Sequence, residues 1–218
     1  MFEETNHEVL DHKIRSITWS QRIVNSLFSY TYQNDFYKKL RWNIESSGLV
    51  SKIYKTFSRN QLLFHSVENY VAKNQEYTDL LQEYFVPLHK FPEFVDFLQS
   101  MKLQIGDSLM NITIRHVLED RESLLNYAHH EMICFVMFFR GPKSIRFDND
   151  LKQSAQKITN KVLELDGSYY LPYRPYQTSD QFERAYTKFK EFKKIKSKYD
   201  PGDLFINQFY KNYLYEAM

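Results

Sequence analysis

Between Leu80 and Tyr173 the chain alternates between strand-like and helix-like hydrophobic spacing, and this order limits the fold more than any other feature. Leu80 to Val86 reads as a short strand closed by Pro87. Phe91 to Met101 reads as a helix with Phe94, Val95, Phe97 and Leu98 on its apolar face. Ser108 to Val117 alternates as a strand does. Met132 to Phe139 is apolar on both faces, which suits a central strand, and Gly141-Pro142 stops it. Asp150 to Leu165 carries a helical stripe of Leu151, Ala155, Ile158, Val162 and Leu165, ended by Gly167. Tyr169 to Tyr173 is a last short strand. The order β-α-β-β-α-β predicts an α+β fold: a ferredoxin-like antiparallel sheet with both helices on one face.

Two flanks complete the domain plan. Residues 1–77 read as a helical N-terminal segment, with Ile14, Ile17, Ile23, Leu27 and Tyr30 near helical spacing. Further helices are expected over Phe36–Glu45, before Ser46-Ser47-Gly48, and over Gln61–Ala72. Residues 78–218 form the second part. There Gln181 to Lys198 reads as one C-terminal helix, with Phe182, Ala185, Tyr186, Phe189, Phe192 and Ile195 on one side. Asp200-Pro201-Gly202 ends it and a tail follows.

If both helices cover one sheet face, the other meets water, a ligand or another domain. Alternation predicts which side chains it carries. Ile112 and Ile114 should point to the helices, and Asn111, Thr113 and Arg115 away from them. On the first strand, Gln82 and Tyr84 are expected on the open face, opposite Leu81 and Phe85. A solvated sheet face would carry similar residues.

Composition excludes several function classes. Only 5 glycines occur, and none forms Gly-x-Gly, so a phosphate-cradling loop is not expected. The net charge of +2 says little about partners by itself, but a nucleic-acid binder would usually carry a stronger basic bias or stripe, and the basic run Lys188 to Lys198 is broken by apolar residues at helical spacing, so no nucleic-acid partner is expected. The longest apolar run, Met132 to Phe139, is far short of the roughly 20 residues of a membrane span. A lone cysteine, Cys134, allows no internal disulfide. Together with an N-terminus that lacks a signal peptide's pattern, it leads to the expectation of a cytoplasmic protein. His129-His130-Glu131 lacks zinc-helix spacing, so no metal site is expected. No Gly-x-Ser-x-Gly elbow occurs. Cys134 sits in an apolar run, where a small buried hydrophobe is the plain reading.

The C-terminal stretch carries the most specific motifs: Tyr169-Tyr-Leu-Pro-Tyr173, Gln181-Phe-x-x-Ala-Tyr186 and Lys198-Tyr-Asp-Pro-Gly-Asp-Leu-Phe-Ile-Asn207. With Leu81-Gln-Glu-Tyr-Phe-Val-Pro87 and Asn111-Ile-Thr-Ile-Arg115, this ordered set resembles the C-terminal substrate domain of FAD-linked oxidases of the vanillyl-alcohol oxidase superfamily. The branch is that of the aldonolactone, alditol and decaprenylphosphoryl-ribose oxidases. The resemblance covers roughly residues 78–214.

The resemblance implies oxidation of a sugar, sugar lactone or related alcohol by hydride transfer to a flavin, and it assigns candidate residues. Arg115 matches a basic residue of the substrate cavity and Tyr173 falls near a lysine on the last strand; these are the catalytic candidates. Gln82, Tyr84, Thr113, Cys134, Val136 and Tyr170 occupy substrate-cavity positions. Thr113 stands where alditol oxidases have an acid and Val136 where they have a histidine, so the substrate should differ from theirs. Asn207 lies in the segment that returns beside the flavin, which makes it a cofactor candidate, although a backbone-capping amide is equally open. Phe205 is expected to plug the Asp200 turn into a core. The implied cofactor is FAD, and this chain alone is not expected to retain it. The implied partners are an FAD-binding domain, missing from this sequence or supplied as a separate subunit, and a sugar-like small molecule. The alternative is a stand-alone ferredoxin-like interaction module without catalytic activity.

Overall fold

A computed structural model describes residues 35–47 and 75–215. The chain divides into two compact units, residues 1–71 and 72–218. In the first, the described element is α1 (Asp35–Ser46). Its end is closed by Ser46 and Ser47, whose hydroxyls donate to the Asn43 and Ile44 carbonyls. The helices expected around Ile14–Tyr30 and Gln61–Ala72 lie outside the described residues.

The second unit runs β1 (Tyr77–Pro87), α2 (Phe91–Ser100), α3 (Lys102–Ile105), β2 (Leu109–Val117), β3 (Met132–Pro142), α4 (Ile145–Glu164) and β4 (Ser168–Tyr169). It continues with α5 (Ser179–Ala185), α6 (Phe189–Tyr199) and α7 (Gln208–Tyr213). The sheet order is β2-β3-β1-β4 and every neighbouring pair is antiparallel. This is the βαββαβ arrangement of an α+β domain.

The pairing registers fix the two faces, because residues directly opposite share a face. One row sets Ile114, Phe135, Tyr84 and Tyr169 side by side, and another sets Ile112, Met137 and Gln82. These rows face the helices. Tyr84, Phe135 and Met137 join Phe94, Ile158 and Val162 in the main core. Phe94 meets the Phe135 ring edge-on at 4.8 Å. Burying each such aromatic contributes about 2–3 kcal/mol, so this layer drives the packing of α2 and α4 on the sheet. Ile112 packs against the core as expected. Ile114 shares its face but remains 51% exposed, on an edge strand.

Both ends of α4 have local causes. Ser144 caps the start by accepting from Phe147 N–H, so the helix begins at Ile145, ahead of the expected Asp150. At the other end, Gly167 N–H reaches Val162 O and Asp166 N–H reaches Leu163 O, with Asp166 in the left-handed region at φ 58°. This is the paired-bond helix stop, with Asp166 rather than glycine in the left-handed position. Gly167 is needed for a different reason. A Cβ there would lie 2.2 Å from the Phe85 carbonyl oxygen, so only glycine lets the chain turn this close to β1.

Three local expectations are corrected. The helix expected over Gln181–Lys198 is two helices. The capping box of Thr178 and Gln181 starts α5, which stops at Ala185, and Tyr186 departs from helical geometry at φ −122°, ψ 70° while its hydroxyl bonds the Tyr169 carbonyl. Ile195, on the second of these helices, is 47% exposed rather than buried. The strand expected over Tyr169–Tyr173 pairs only at Ser168 and Tyr169. Pro172 has no N–H to extend the ladder, and the chain leaves the sheet. Phe205 does not plug a core and is 81% exposed. The carboxylate of Asp200, held by Lys196, accepts from Leu204 and Phe205 N–H and turns this segment outward. Phe209 and Tyr213 pack on Phe182 instead.

Candidate functional site

The face away from the helices is built from two cross-strand rows. Thr113, Val136 and Glu83 form one, and Arg115, Cys134 and Phe85 the other. Phe85, Met132, Cys134 and Val136 form a small second apolar cluster, closed by Val117, Tyr127 and Tyr170. Tyr127 comes from the loop between β2 and β3. That loop is tied down by Asp120 N–H to Ala128 O at 2.9 Å and by the Ser168 hydroxyl, which donates to the Tyr127 carbonyl. The Tyr127 ring stacks on Phe85 at 4.5 Å.

Beyond β4 the chain still touches β1 once, through Tyr170 N–H to Glu83 O at 3.0 Å. This bond sets the Tyr170 ring edge-on to Tyr127 and to Tyr173, each at 5.4 Å. Tyr173 then leans over the face, and its hydroxyl donates to Glu83 Oε1 at 2.9 Å. The Cys134 thiol approaches the other oxygen, Glu83 Oε2, at 3.8 Å. A half-buried carboxylate thus receives two donors inside an aromatic frame, with the exposed Arg115 on the adjoining row.

The electrostatics follow from this geometry. Burial pushes the Tyr173 hydroxyl up to about 12, helped by its hydrogen bond to Glu83, while the Arg115 charge pulls the other way. Burial likewise pushes the Cys134 thiol up to about 12, with the Glu83 charge adding and Arg115 opposing. Cys134 is therefore a neutral thiol at physiological pH, not a nucleophile. Tyr173 is a neutral phenol, able to donate to Glu83 and to accept from a further hydroxyl.

The structure brings together Arg115, Tyr173, Thr113, Cys134, Val136 and Tyr170 on this face. It does not bring Gln82 and Tyr84 there. Both point into the helix-side core, at 2% and 0% exposure. The physical reason is that β1 is a central strand and apolar on both sides. Leu81 and Phe85 therefore say no more about direction than Leu80 and Val86, and a one-residue misreading exchanges the faces. The Tyr84 hydroxyl is fully buried, makes no hydrogen bond of good geometry to the described residues, and burial pushes its pKa up. Gln82 serves the site from beneath. Its Nε2 donates to Arg174 O at 3.2 Å and its Oε1 accepts from Gln177 Nε2 at 3.4 Å, which anchors the segment following Tyr173. Gln177 in turn donates to Thr159 at 3.3 Å, and its carbonyl accepts from Tyr213 at 3.0 Å.

Sequence reasoning missed Glu83 and Tyr127. Glu83 had a usable signal, as the one carboxylate within the apolar run Leu80–Val86. Tyr127 had none, because a loop aromatic gains its position only through tertiary packing. Asn207 is engaged as the cap of α7, accepting from Tyr210 N–H at 2.9 Å. It borders, with Tyr173 and Phe209, a shallow depression of about 380 Å³. His129, His130 and Glu131 turn to three different partners: the Ala185 carbonyl, Asp166 and His116. Among the described residues no side-chain cluster could hold a metal, and no described helix is long and apolar enough to cross a membrane.

FAD can be tested against the described glycines, where a pyrophosphate would need close backbone approach. Gly106, Gly141 and Gly167 are pressed against the Lys102 carbonyl, the Phe147 ring and the Phe85 carbonyl, and Gly202 sits in an open turn. None contributes to a phosphate cradle, so the described residues do not fit FAD as its binder.

The face of this α+β domain that lies away from the described helices carries an acid, a phenol and a guanidinium framed by aromatic rings. The chain belongs to the D-arabinono-1,4-lactone oxidase family, whose model matches residues 3–213. That match takes in most of the N-terminal segment, to which the sequence alone assigned no chemistry. A search among curated proteins gives no match. The family's members are FAD-linked oxidases.

Proposed function

We propose that this chain is the substrate-binding part of an FAD-dependent oxidoreductase that oxidises a sugar, a sugar lactone or a related alcohol by hydride transfer to a flavin held on another domain or subunit. The observation that carries this reading is the family match over residues 3–213, which includes every residue of the helix-free face. In this reading the Arg115 guanidinium lies against the reacting hydroxyl oxygen and stabilises negative charge there as the C–H bond weakens. Tyr173 binds the same hydroxyl. Tyr170 offers a flat ring for the apolar face of a sugar ring, while Thr113, Cys134 and Val136 shape the floor. Asn207 holds the tail at the mouth through its capping bond. The single buried cysteine suits a reducing, cytoplasmic setting.

A stand-alone interaction module is the second reading, favoured by the exposed run Leu204, Phe205 and Ile206. One experiment separates the two. The purified chain is examined for bound flavin. It is then mixed with an FAD-binding domain from this oxidase family and offered a panel of lactones, sugars and polyols. The oxidase reading expects a colourless, inactive chain that supports substrate-dependent flavin reduction once mixed. A chain that is yellow alone, or a mixture that oxidises no member of the panel, refutes it.

A further inference from the structure

We propose that Glu83 is the proton acceptor of this site, reached through the Tyr173 hydroxyl. The inference rests on the oxidase reading and adds to it a residue and a proton path. Oxidation of an alcohol removes two hydrogens. The carbon loses a hydride, and the oxygen loses a proton that needs a base within hydrogen-bond reach. Among the described residues, the face away from the helices offers few groups for that role. Arg115 offers only N–H donors and no acceptor for a proton. Cys134 and Tyr173 are neutral and hold their protons tightly. Glu83 places its carboxyl group on this face, and its Oε1 already accepts the hydrogen bond of the Tyr173 hydroxyl at 2.9 Å.

The Tyr173 oxygen keeps lone pairs for a substrate hydroxyl. The proton therefore moves in two hops. The substrate O–H bond breaks as a proton passes to the Tyr173 oxygen, while the Tyr173 proton passes to Glu83 Oε1. The substrate C–H bond would break with its electron pair passing to a two-electron acceptor of the flavin class supplied by another domain or subunit, and the carbon–oxygen double bond would form. Glu83 ends as the neutral acid and Tyr173 is unchanged. The titratable and charged groups facing Glu83 are Tyr173 and Tyr170 from the segment after β4, Cys134 from β3, Arg115 from β2 and Tyr127 from the loop after β2. Arg115 is the one Lys or Arg side chain in this described set.

The test has two parts, both on the full chain. In the chain alone, tyrosine labelled with carbon-13 at the phenol carbon gives a Tyr173 resonance, identified by its loss in Y173F. That resonance should shift with pH in one step that E83Q abolishes. A resonance indifferent to E83Q overturns the proposal without any flavin present. In the mixture with an FAD-binding domain, E83Q should lower kcat roughly 10²- to 10⁴-fold with KM little changed, as loss of a general base does. E83D should restore part of the rate with a displaced acid limb in the pH profile, and Y173F should also lose rate. Full activity of E83Q with an unchanged pH profile overturns this inference alone. A wild-type mixture that oxidises nothing overturns the oxidase reading and the inference together.

Discussion

Replacing Gln82 by leucine tests whether this buried amide supports the site from below. Gln82 is 2% exposed, and its bonds to Arg174 O and Gln177 Nε2 are 3.2 and 3.4 Å long. Leucine has a similar volume, so the change removes polar atoms without opening a large cavity. It leaves the Arg174 carbonyl and one Gln177 donor site with weaker partners. A buried group deprived of its hydrogen bond costs about 1–3 kcal/mol, and the longer second contact adds little, so the net loss should be about 2 kcal/mol. A unit of about 150 residues loses roughly 0.3 kcal/mol of stability per degree near its midpoint, which makes this a fall of roughly 6 °C in Tm. Thermal and urea unfolding followed by circular dichroism measure it. The segment carrying Tyr173 should also loosen, read as increased amide exchange across residues 174–177. If Q82L unfolds within about 0.5 kcal/mol of wild type, the level expected of a neutral substitution, the anchoring role of this amide is refuted.

Two further outcomes follow from the aromatic core. Phe182 is fully buried and meets the rings of Tyr186, Phe189, Phe209 and Tyr213, so F182A should cost about 3–5 kcal/mol and detach α7 first; limited proteolysis near Gln208 would detect it, and a wild-type cleavage pattern would contradict it. Tyr173, Tyr176 and Tyr213 are each held up at about 12 by burial, and Tyr84, Tyr169 and Tyr186 are also raised. A raised folded pKa favours the folded state while the phenol is protonated, so this stability is complete below about pH 10 and is lost as pH climbs from 10 towards 12. Tyrosinate absorbance should rise together with loss of the circular dichroism signal, and a separate early rise of the whole tyrosine set would contradict the burial.

The elements legible in the sequence were those with an unambiguous period. β3 could be read because both of its faces are apolar, and α4 because Leu151, Ala155, Ile158 and Val162 form one stripe. The order of these elements was enough for the sheet topology. The direction of β1 was not legible, because its polar residues Gln82 and Glu83 are adjacent and each face also carries leucine and an aromatic. Only pairing with β3, whose Phe135 and Cys134 point opposite ways, assigns them. The break between α5 and α6 carries no glycine or proline and depends on the Tyr186 hydroxyl finding the Tyr169 carbonyl across the core. The candidate site was legible on β2, at Thr113 and Arg115, where the edge strand alternates cleanly. It was hidden wherever a tertiary contact, such as Tyr127 on Phe85, brings a loop over the sheet.

β4 has only two residues in the ladder. Beyond Tyr170, whose N–H still reaches the Glu83 carbonyl, the chain leaves the sheet, and it carries Tyr173 over the face. Lengthening or shortening residues 171–175 would thus reshape the rim above Arg115 while leaving every strand pair in register. In this architecture the scaffold and the rim of the candidate site can vary separately, and the short final strand is the joint between them.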